Sequence, residues 1–561
     1  MKSIVIVDAL STGINYLNDI IQRNYRPVVL EASWGDHPEE SFMATRRYIR
    51  KRYAGKADFV EEQPTYEETL SAIKAYDPLF IIPGCESGVE LATRLSDDLG
   101  LRGNPYSGLD KLVHKDAMHE ALKNYGVRYI RGKIVHSVDE AVAYYREEKF
   151  LHGCVVKPSR GGGTVGVHLC DDEEEMVEAL RAEFGSTNVF GNKCESLLLQ
   201  ERIVGTEYIV NTISVDGKHR LSSMWRYTKK RVLGGGNVYD AAEILGSLEA
   251  GHSRLVRYAM DVANAIGFQN GYIHGEYMID EAGPVLIEVN CRVMGGNMTA
   301  AFLDPIFGHH ETDNLLDSFL DPAWHEQMCE KPYRIYNRGY QKFFINPEDT
   351  TLDLAPVVSI VKHLRSFREG SISGVASGTL VRTVDMETSG GLLFLSHRDP
   401  YVLEKDVQFL RKIDQEYHDM LFVNHPVDPA RRPEQLTSVT DLMKQCGCNR
   451  SILVLTNDDA LDVHATVLHD SDSRNAIGSY NWVIWDADYR ENEDIEQMTE
   501  DFYFLASKLQ KGGHLLIPEK TYWHFPCGME SIEVLCESIG LIIEAPTTPA
   551  HQGVIIATMD D

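Results

Sequence analysis

The sequence predicts a multidomain chain of α/β and α+β units, and three observations lead there. Its 561 residues exceed what one hydrophobic core supports, because single cores stop growing near about 250 to 300 residues. Short apolar, β-branched runs alternate with helical patterns at the amino terminus and again after residue 450, which is the rhythm of βα units. Between these regions the chain mixes helices with many strands separated by glycines. The 43% hydrophobic and 25% charged residues suit a folded globular protein, and no tract is biased toward disorder or fibre.

Taken in order, Ser3 to Val7 reads as a strand, Gly13 to Arg23 as a helix and Pro27 to Leu30 as a second strand. A third apolar run, Leu79 to Ile82, ends in PGCESGVELATRL, where small residues at a strand's carboxyl end precede an amphipathic helix. Ligands of open α/β sheets bind at that edge. Glu86 can face a cationic group there, although a helix start is more often plain structure. From Lys111 a helix (Lys115 to Asn124), strands (Arg128 to Ile134, Cys154 to Pro158) and a helix (Glu173 to Glu183) follow, and strands recur to residue 290. A glycine-spaced, strand-rich segment spans 340 to 422, and the polar, proline-containing stretch 423 to 449 reads as a linker. Strands at Ile452 to Leu455, Trp482 to Trp485, His514 to Ile517 and Val554 to Ala557, with helices at Ile495 to Gln510 and Glu530 to Ser538, make a last α/β unit.

The formal net charge of −29 opposes phosphate backbones and anionic lipid, which argues against nucleic acid and membrane partners. The one dense basic cluster, Arg226 to Arg231, is short and flanked by glycines, which fits a small anionic ligand better than a duplex. The amino terminus lacks a signal-peptide apolar region, and no window approaches about 18 uninterrupted apolar residues. The ten cysteines are scattered, without paired CxxC spacing, so neither a disulfide framework nor a structural zinc site is indicated. A cytoplasmic location is expected.

Three segments carry chemistry. In VVKPSRGGGTVGV, residues 155 to 167, a strand delivers Lys157 and enters a glycine-rich turn. Glycine N–H groups can approach phosphate oxygens closely while the lysine supplies charge. The lysine precedes the glycines, so this is no Walker loop; a hairpin with a surface lysine is the alternative. In residues 273 to 296, IHGEYMID and VLIEVNCRVMGG read as consecutive strands joined by a short turn. Period-two alternation puts His274, Glu276 and Met278 on one face and Glu288 and Asn290 on one face of the partner. Carboxylates embedded in apolar strands are costly unless a cation lies between them, and magnesium held by one or two carboxylates and substrate phosphates meets that need. A solvent-facing hairpin is the alternative, and His274 reads either as a hydrogen-bonded structural residue or as a substrate contact. In LLLQERIVGTEYIV, residues 197 to 210, a crossover can present backbone groups to an adenine edge and an acidic side chain to ribose hydroxyls; a plain strand, turn and strand explains it equally well.

At these residues the chain resembles the ATP-grasp superfamily, and within it the carboxylate–amine ligases typified by bacterial L-amino-acid ligases of the bacilysin dipeptide synthetase type. The family's order is present: Lys115 in HKDAM, Lys157 before the glycine loop, Gln200 and Glu201 with Glu207, then Glu276, Glu288, Asn290 and Arg292. The resemblance covers residues 1 to 422. It implies a Rossmann-like pre-ATP-grasp domain (1–110), a small ATP-grasp subdomain with a glycine-rich lid (111–205), and a large subdomain with a strand-rich extension (206–422).

Carried over residue by residue, it implies that Lys115 and Lys157 contact the ATP phosphates and that Ser159 to Thr164, with Gly162 and Gly163, close over them. Gln200, Glu201 and Ile203 would line the adenine pocket, and Glu207 would hold the ribose. Glu276, Glu288 and Asn290 would coordinate magnesium, with manganese able to replace it. Arg292 would steady an acyl phosphate, with Lys157 the second catalytic residue. The implied reaction activates a substrate carboxylate and joins it to an amine, with ADP and phosphate released. An ATP-grasp carboxylase, a carrier-protein-loading ligase and a non-catalytic ATP-binding scaffold are the alternatives.

Residues 224 to 240, MWRYTKKRVLGGGNVYD, look like the family's variable substrate-side loop. Trp225 or Tyr227 could shape a side-chain pocket, and Arg226, Lys229 or Arg231 could bind a substrate anion; a solvated loop with basic tips is the alternative. Glu86, His274 and Gly295 complete the substrate candidates. Small-molecule acid and amine are the expected partners, with a homo-oligomer left open. Residues 450 to 561 resemble the later strands and helices of a class I methyltransferase fold. LTNDDALDV stands where the glycine-rich first turn belongs, so a non-catalytic role is expected.

Overall fold

The run Ser3–Val7 (β1) is buried at all five positions because it lies inside a parallel sheet covered on both faces, which is why it reads as continuous rather than alternating. Its neighbours are Arg26–Glu31 (β2) and Pro78–Pro83 (β4), with Asp58–Glu61 (β3) outside β2. The expected first helix is shorter than the pattern suggested. Ser11–Ile14 form a 3-10 turn and Asn15–Gln22 the α-helix, because the turn after β1 passes against the turn after β4. A Cβ at Gly13 would lie 2.1 Å from the Gly84 carbonyl oxygen, and one at Gly84 would lie 2.4 Å from that of Asp8. Only glycines allow this approach, and it fixes Cys85 to Ser87 at the sheet's carboxyl edge.

The computed structural model describes residues 2–34, 40–159, 166–186, 193–232, 237–246, 250–351, 360–372, 379–384, 386, 388–414, 443, 452–456, 466–468, 479–486, 495–518, 521, 529–544 and 554–559. The chain divides into two units, Met1–Gln341 with Val384–Glu387, and Lys342–Thr383 with Thr388–Asp561.

In the first unit, Gly132–Val135 (β5), Cys154–Lys157 (β6), His168–Cys170 (β7) and Leu197–Glu201 (β8) form an antiparallel sheet in the order β5-β8-β6-β7. Strand β5 starts later than the apolar pattern suggested, because Arg128 is drawn into a two-pronged ion pair with Asp280 at 2.6 and 2.7 Å. Helices Val138–Glu148 and Glu173–Glu183 share a core with this sheet through Ala141, Met176, Ala179 and Leu180. A larger sheet in this unit contains Thr206–Val215 (β9), Lys218–Arg231 (β10), Asn237–Ile244 (β11), Gly271–Asp280 (β12) and Gly283–Asn290 (β13), side by side in the order β13-β12-β9-β10-β11. Helix Ala250–Ala265 packs Leu255, Ala259, Val262 and Ala263 into a core shared with Val210, Met224, Ile273 and Leu286. The other sheet face carries polar side chains beside a second apolar core, in which Ile213, Val215 and Tyr272 pack with Val293, Leu315 and Leu316.

The second unit contains a hairpin of Phe367–Ile372 with Gly391–His397, helix Pro400–Ile413 and a six-stranded sheet. That sheet runs Thr466–Leu468, Ile452–Thr456, Tyr480–Asp486, Leu509–Pro518, Val554–Met559 and Leu541–Ile543. The first four strands are parallel, and Val554–Met559 is antiparallel to both neighbours. Helix Ile495–Ala506 ends before the expected Gln510 because Leu509 already opens the next strand. Most of the segment read as a linker, 423–449, lies outside the described residues, as does the turn at 457–465. Among the described residues no helix is long and apolar enough to cross a membrane.

Candidate active site: a charged cleft between two antiparallel sheets

The two antiparallel sheets of the first unit border a cavity of about 300 Å3. Its apolar walls come from Val155, Leu169 and Ile130 on one side and Met278 and Ile287 on the other, with Ile203 and Val204 at the crossover between β8 and β9. This slot suits a flat aromatic ring. Gln200 and Glu201 border it. The Gln200 Nε2 is buried without a hydrogen-bond partner among the described residues, so a donor faces ligand space. Glu201 is clamped by Arg131 through two hydrogen bonds of 2.9 and 3.0 Å.

Beyond the slot the cavity is ionic. The β12–β13 register puts Glu276 opposite Glu288 and His274 opposite Asn290, so the alternation read from the sequence becomes a square of polar side chains. The Asn290 amide donates to Glu288 Oε1 at 3.3 Å. Lys115, at the start of helix Lys115–Tyr125, reaches Glu288 with Nζ at 2.7 Å. Lys157, at the end of β6, is 5% exposed, and its pKa is pushed down to about 8 by burial and the neighbouring Lys115, against the pull of Glu288, Glu276 and Glu207. Glu207, on β9, pairs with Lys229 at 2.9 Å; burial raises its pKa, with Lys229 opposing and Glu276 adding to the rise. Burial also pushes Glu276 upward, but His274, Lys229 and Arg292 outweigh it and hold the carboxyl at about 2. Arg292 lies 3.4 Å from Glu86, whose buried Oε2 has no hydrogen-bond partner among the described residues.

Magnesium is tested by the donor set itself. Glu276, Glu288 and Asn290 offer hard oxygens on one face, beside lysines placed for phosphate, and that combination fits an octahedral cation shared with a nucleotide.

The sequence-based candidates fall into three groups. Lys115, Lys157, Gln200, Glu201, Ile203, Glu207, Glu276 and Glu288 all line the one cavity; Asn290 is hydrogen-bonded to Glu288, and Arg292 faces Glu86. Ser159 donates to Asp116 at 2.6 Å, and its carbonyl accepts from the Lys115 backbone N–H at 3.2 Å, tying the loop's start to the Lys115 helix. Gly295 follows in the turn after Arg292, with open space where a side chain would stand. Gly162, Gly163 and Thr164 lie outside the described residues.

The third group is corrected. Residues 224 to 231 and 237 to 240 belong to strands β10 and β11 rather than to a loop, so strand alternation decides what each side chain meets. Trp225 is fully buried against Phe302, with its indole N–H donating to Ser223 at 2.9 Å, so it is core. Arg226 lies opposite Glu243 and pairs with it, and it is not among the residues lining the cavity. Lys229 is the basic residue that faces the cavity, its Nζ 4.4 Å from the Tyr239 ring centre; Arg231 is 3.8 Å from Asp171. Tyr227 is on Lys229's side, its ring 4.7 Å from that of Tyr239. His274 takes the structural alternative: it is 4% exposed, with Nδ1 2.9 Å from Asn211 Oδ1 and Nε2 3.3 Å from Glu276. Tyr239, Asn211 and Glu311 carried no sequence signal, since their roles depend on which strand lies beside which.

Asp304, His310 and Asp313 converge closely enough to suggest a metal site, but both His310 nitrogens already face carboxylates. Nδ1 lies 2.8 Å from Asp304 and Nε2 3.1 Å from Asp19. Burial opposes the charge, yet hydrogen bonds to Asp19 and Asp304 raise the pKa from 6.5 to about 10. This cation ties helix Asn15–Gln22 to helix Ala300–Phe307. Its stabilisation is complete below pH 6.5 and is lost as pH rises toward 10. His310→Gln should cost about 2 kcal/mol at pH 7, and the melting temperatures of the two proteins should converge by pH 10. Parallel curves would refute the clamp.

Residues 151–301 match the ATP-grasp domain, and the proteins similar to this chain include a synthase and a ligase. It is 27% identical over 366 residues to dapdiamide A synthase of Enterobacter agglomerans, covering 63% of this chain and 83% of that protein. It is 28% identical over 176 residues to D-alanine–D-alanine ligase of Fervidobacterium nodosum, covering 28% of this chain and 52% of that one. The crystal structure of the L-amino acid ligase from Bacillus licheniformis shares the fold, with a TM-score of 0.55 at 15% identity over 73% of this chain and 97% of that one.

Proposed function

We propose that this protein is an ATP-dependent ligase that converts the carboxylate of one amino acid to an acyl phosphate and couples it to the amine of a second. The observation that carries this reading is the meeting of Lys115, Lys157, Glu276 and Glu288 in one cavity, with Asn290 beside Glu288 and the Arg292–Glu86 pair following the same strand.

A carboxylate is a poor electrophile and needs a leaving group before an amine can attack. Its oxygen takes the terminal phosphoryl group of ATP with ADP departing; the amine nitrogen then bonds to the carbonyl carbon, and phosphate leaves as the amine gives up a proton. Positioning and charge neutralisation suffice for such transfers, so no protein nucleophile is needed. Lys115 and Lys157 hold phosphate oxygens, Lys229 adds a third cation, and Gln200, Glu201 and Ile203 frame the adenine, with Glu207 on the ribose. Glu276, Glu288 and Asn290 would hold magnesium, which supplies charge neutralisation between the phosphates. Arg292 steadies the acyl phosphate. The Glu86 carboxylate, 3.4 Å from Arg292 and without a hydrogen bond at Oε2 among the described residues, offers an acceptor for a substrate ammonium, which favours an amino acid as the acid.

The carboxyl-terminal sheet is read as a shortened methyltransferase-like fold without methyl transfer. Its antiparallel Val554–Met559, set between Leu509–Pro518 and Leu541–Ile543, supports the methyltransferase-like topology.

Incubation with magnesium, ATP and pairs of amino acids tests the proposal. ADP release that depends on amino acids, together with a product mass equal to the pair less one water, is expected. ADP formation indifferent to added acid and amine would overturn it.

A further inference from the structure

Behind the metal-type carboxylates lies a buried polar chain that none of the substrate-facing roles uses. Asn211, on β9, is fully buried beside His274 in the β9–β12 register. Its Nδ2 donates to Ser223 Oγ at 2.9 Å and to Glu311 Oε1 at 3.2 Å. Glu311, at the start of helix Glu311–Leu320, accepts the Met294 N–H at 2.8 Å through its other oxygen.

These contacts form one consistent set. Ser223 Oγ accepts the donor-only indole N–H of Trp225 at 2.9 Å and has a second lone pair for the Asn211 amide, whose nitrogen is turned toward both Ser223 and Glu311. Its Oδ1 therefore faces His274 Nδ1 at 2.9 Å, and that nitrogen carries the donated hydrogen. The ring is then held with Nε2 toward Glu276 Oε1 at 3.3 Å. Through Met294 the same Glu311 also fixes the turn that follows Arg292. Outer partners of this kind orient metal-binding groups and set their affinity.

We propose that Asn211 and Glu311 are positioning residues, which set the orientation of the Glu276 carboxylate through His274 and that of the Arg292 turn through Met294. The inference rests on the proposed ligase reading, in which Glu276 binds a divalent cation.

Manganese binding in the presence of ADP, followed by the electron paramagnetic resonance signal of free Mn2+, tests it. Asn211→Leu removes the acceptor for His274. Glu311→Gln keeps the shape but sets an amide nitrogen against the Met294 N–H or the Asn211 amide. Each is expected to weaken Mn2+ binding about tenfold or more, with ADP affinity in EDTA within about twofold of wild type. Folded variants that bind Mn2+ as tightly as wild type would overturn the inference. Wild type that binds no Mn2+ with ADP would instead sink the ligase reading. Should neither variant fold, 15N-histidine spectra of wild type decide: a hydrogen on Nδ1 of His274 supports the chain of contacts, and one on Nε2 alone refutes it.

Discussion

Glu288→Gln is expected to lower turnover by about a thousandfold or more while leaving the melting temperature within a few degrees of wild type. Glu288 stands opposite Glu276 across β12–β13 and is paired with Lys115 at 2.7 Å, so one side chain meets both the metal and the phosphate functions. Glutamine keeps the shape and the hydrogen bond with Asn290 but loses the charge that holds a divalent cation. Its loss would show in Mn2+ binding as well as in turnover. A variant with near-wild-type turnover would mean that the cation is held elsewhere.

Lys157 should make ATP use fall with rising pH. Its pKa is pushed down to about 8 by burial and Lys115, so the ammonium that attracts phosphate is present at pH 7 and is lost above pH 8. The KM for ATP is therefore expected to climb about tenfold per pH unit above 8, and ATP binding there should take up a proton, measurable by calorimetry in buffers of different ionisation enthalpy. Lys157→Arg keeps its charge and should flatten the profile. Lys157→Met should cost about a hundredfold or more in kcat/KM at pH 7. A profile unchanged by the arginine variant would place the titrating group elsewhere.

Much of the site is legible in the sequence because its parts are local. A strand ending in lysine before glycines, and two strands joined by a short turn, state their geometry through alternation, and the Glu276–Glu288 and His274–Asn290 pairs follow from one hairpin. The basic segment 226–231 is less legible for the converse reason. Its glycines suggested a loop, in which any of three cations could reach a ligand, whereas strands β10 and β11 send Lys229 to the cavity and Arg226 to Glu243. Trp225 has the parity of Lys229, but it lies earlier on the strand, against Phe302, so parity alone does not separate core from site.

The sequence by itself determined the chemistry: which lysines, carboxylates and amides are available, in an order that resembles the ATP-grasp family, and which of them share a strand face. Tertiary structure alone decided which side chains brace them. Asn211 meets His274 across 63 positions and Glu311 across 100. Contacts at such separations depend on strand register and on where a helix is set down, and these are properties of the assembled core rather than of any local pattern.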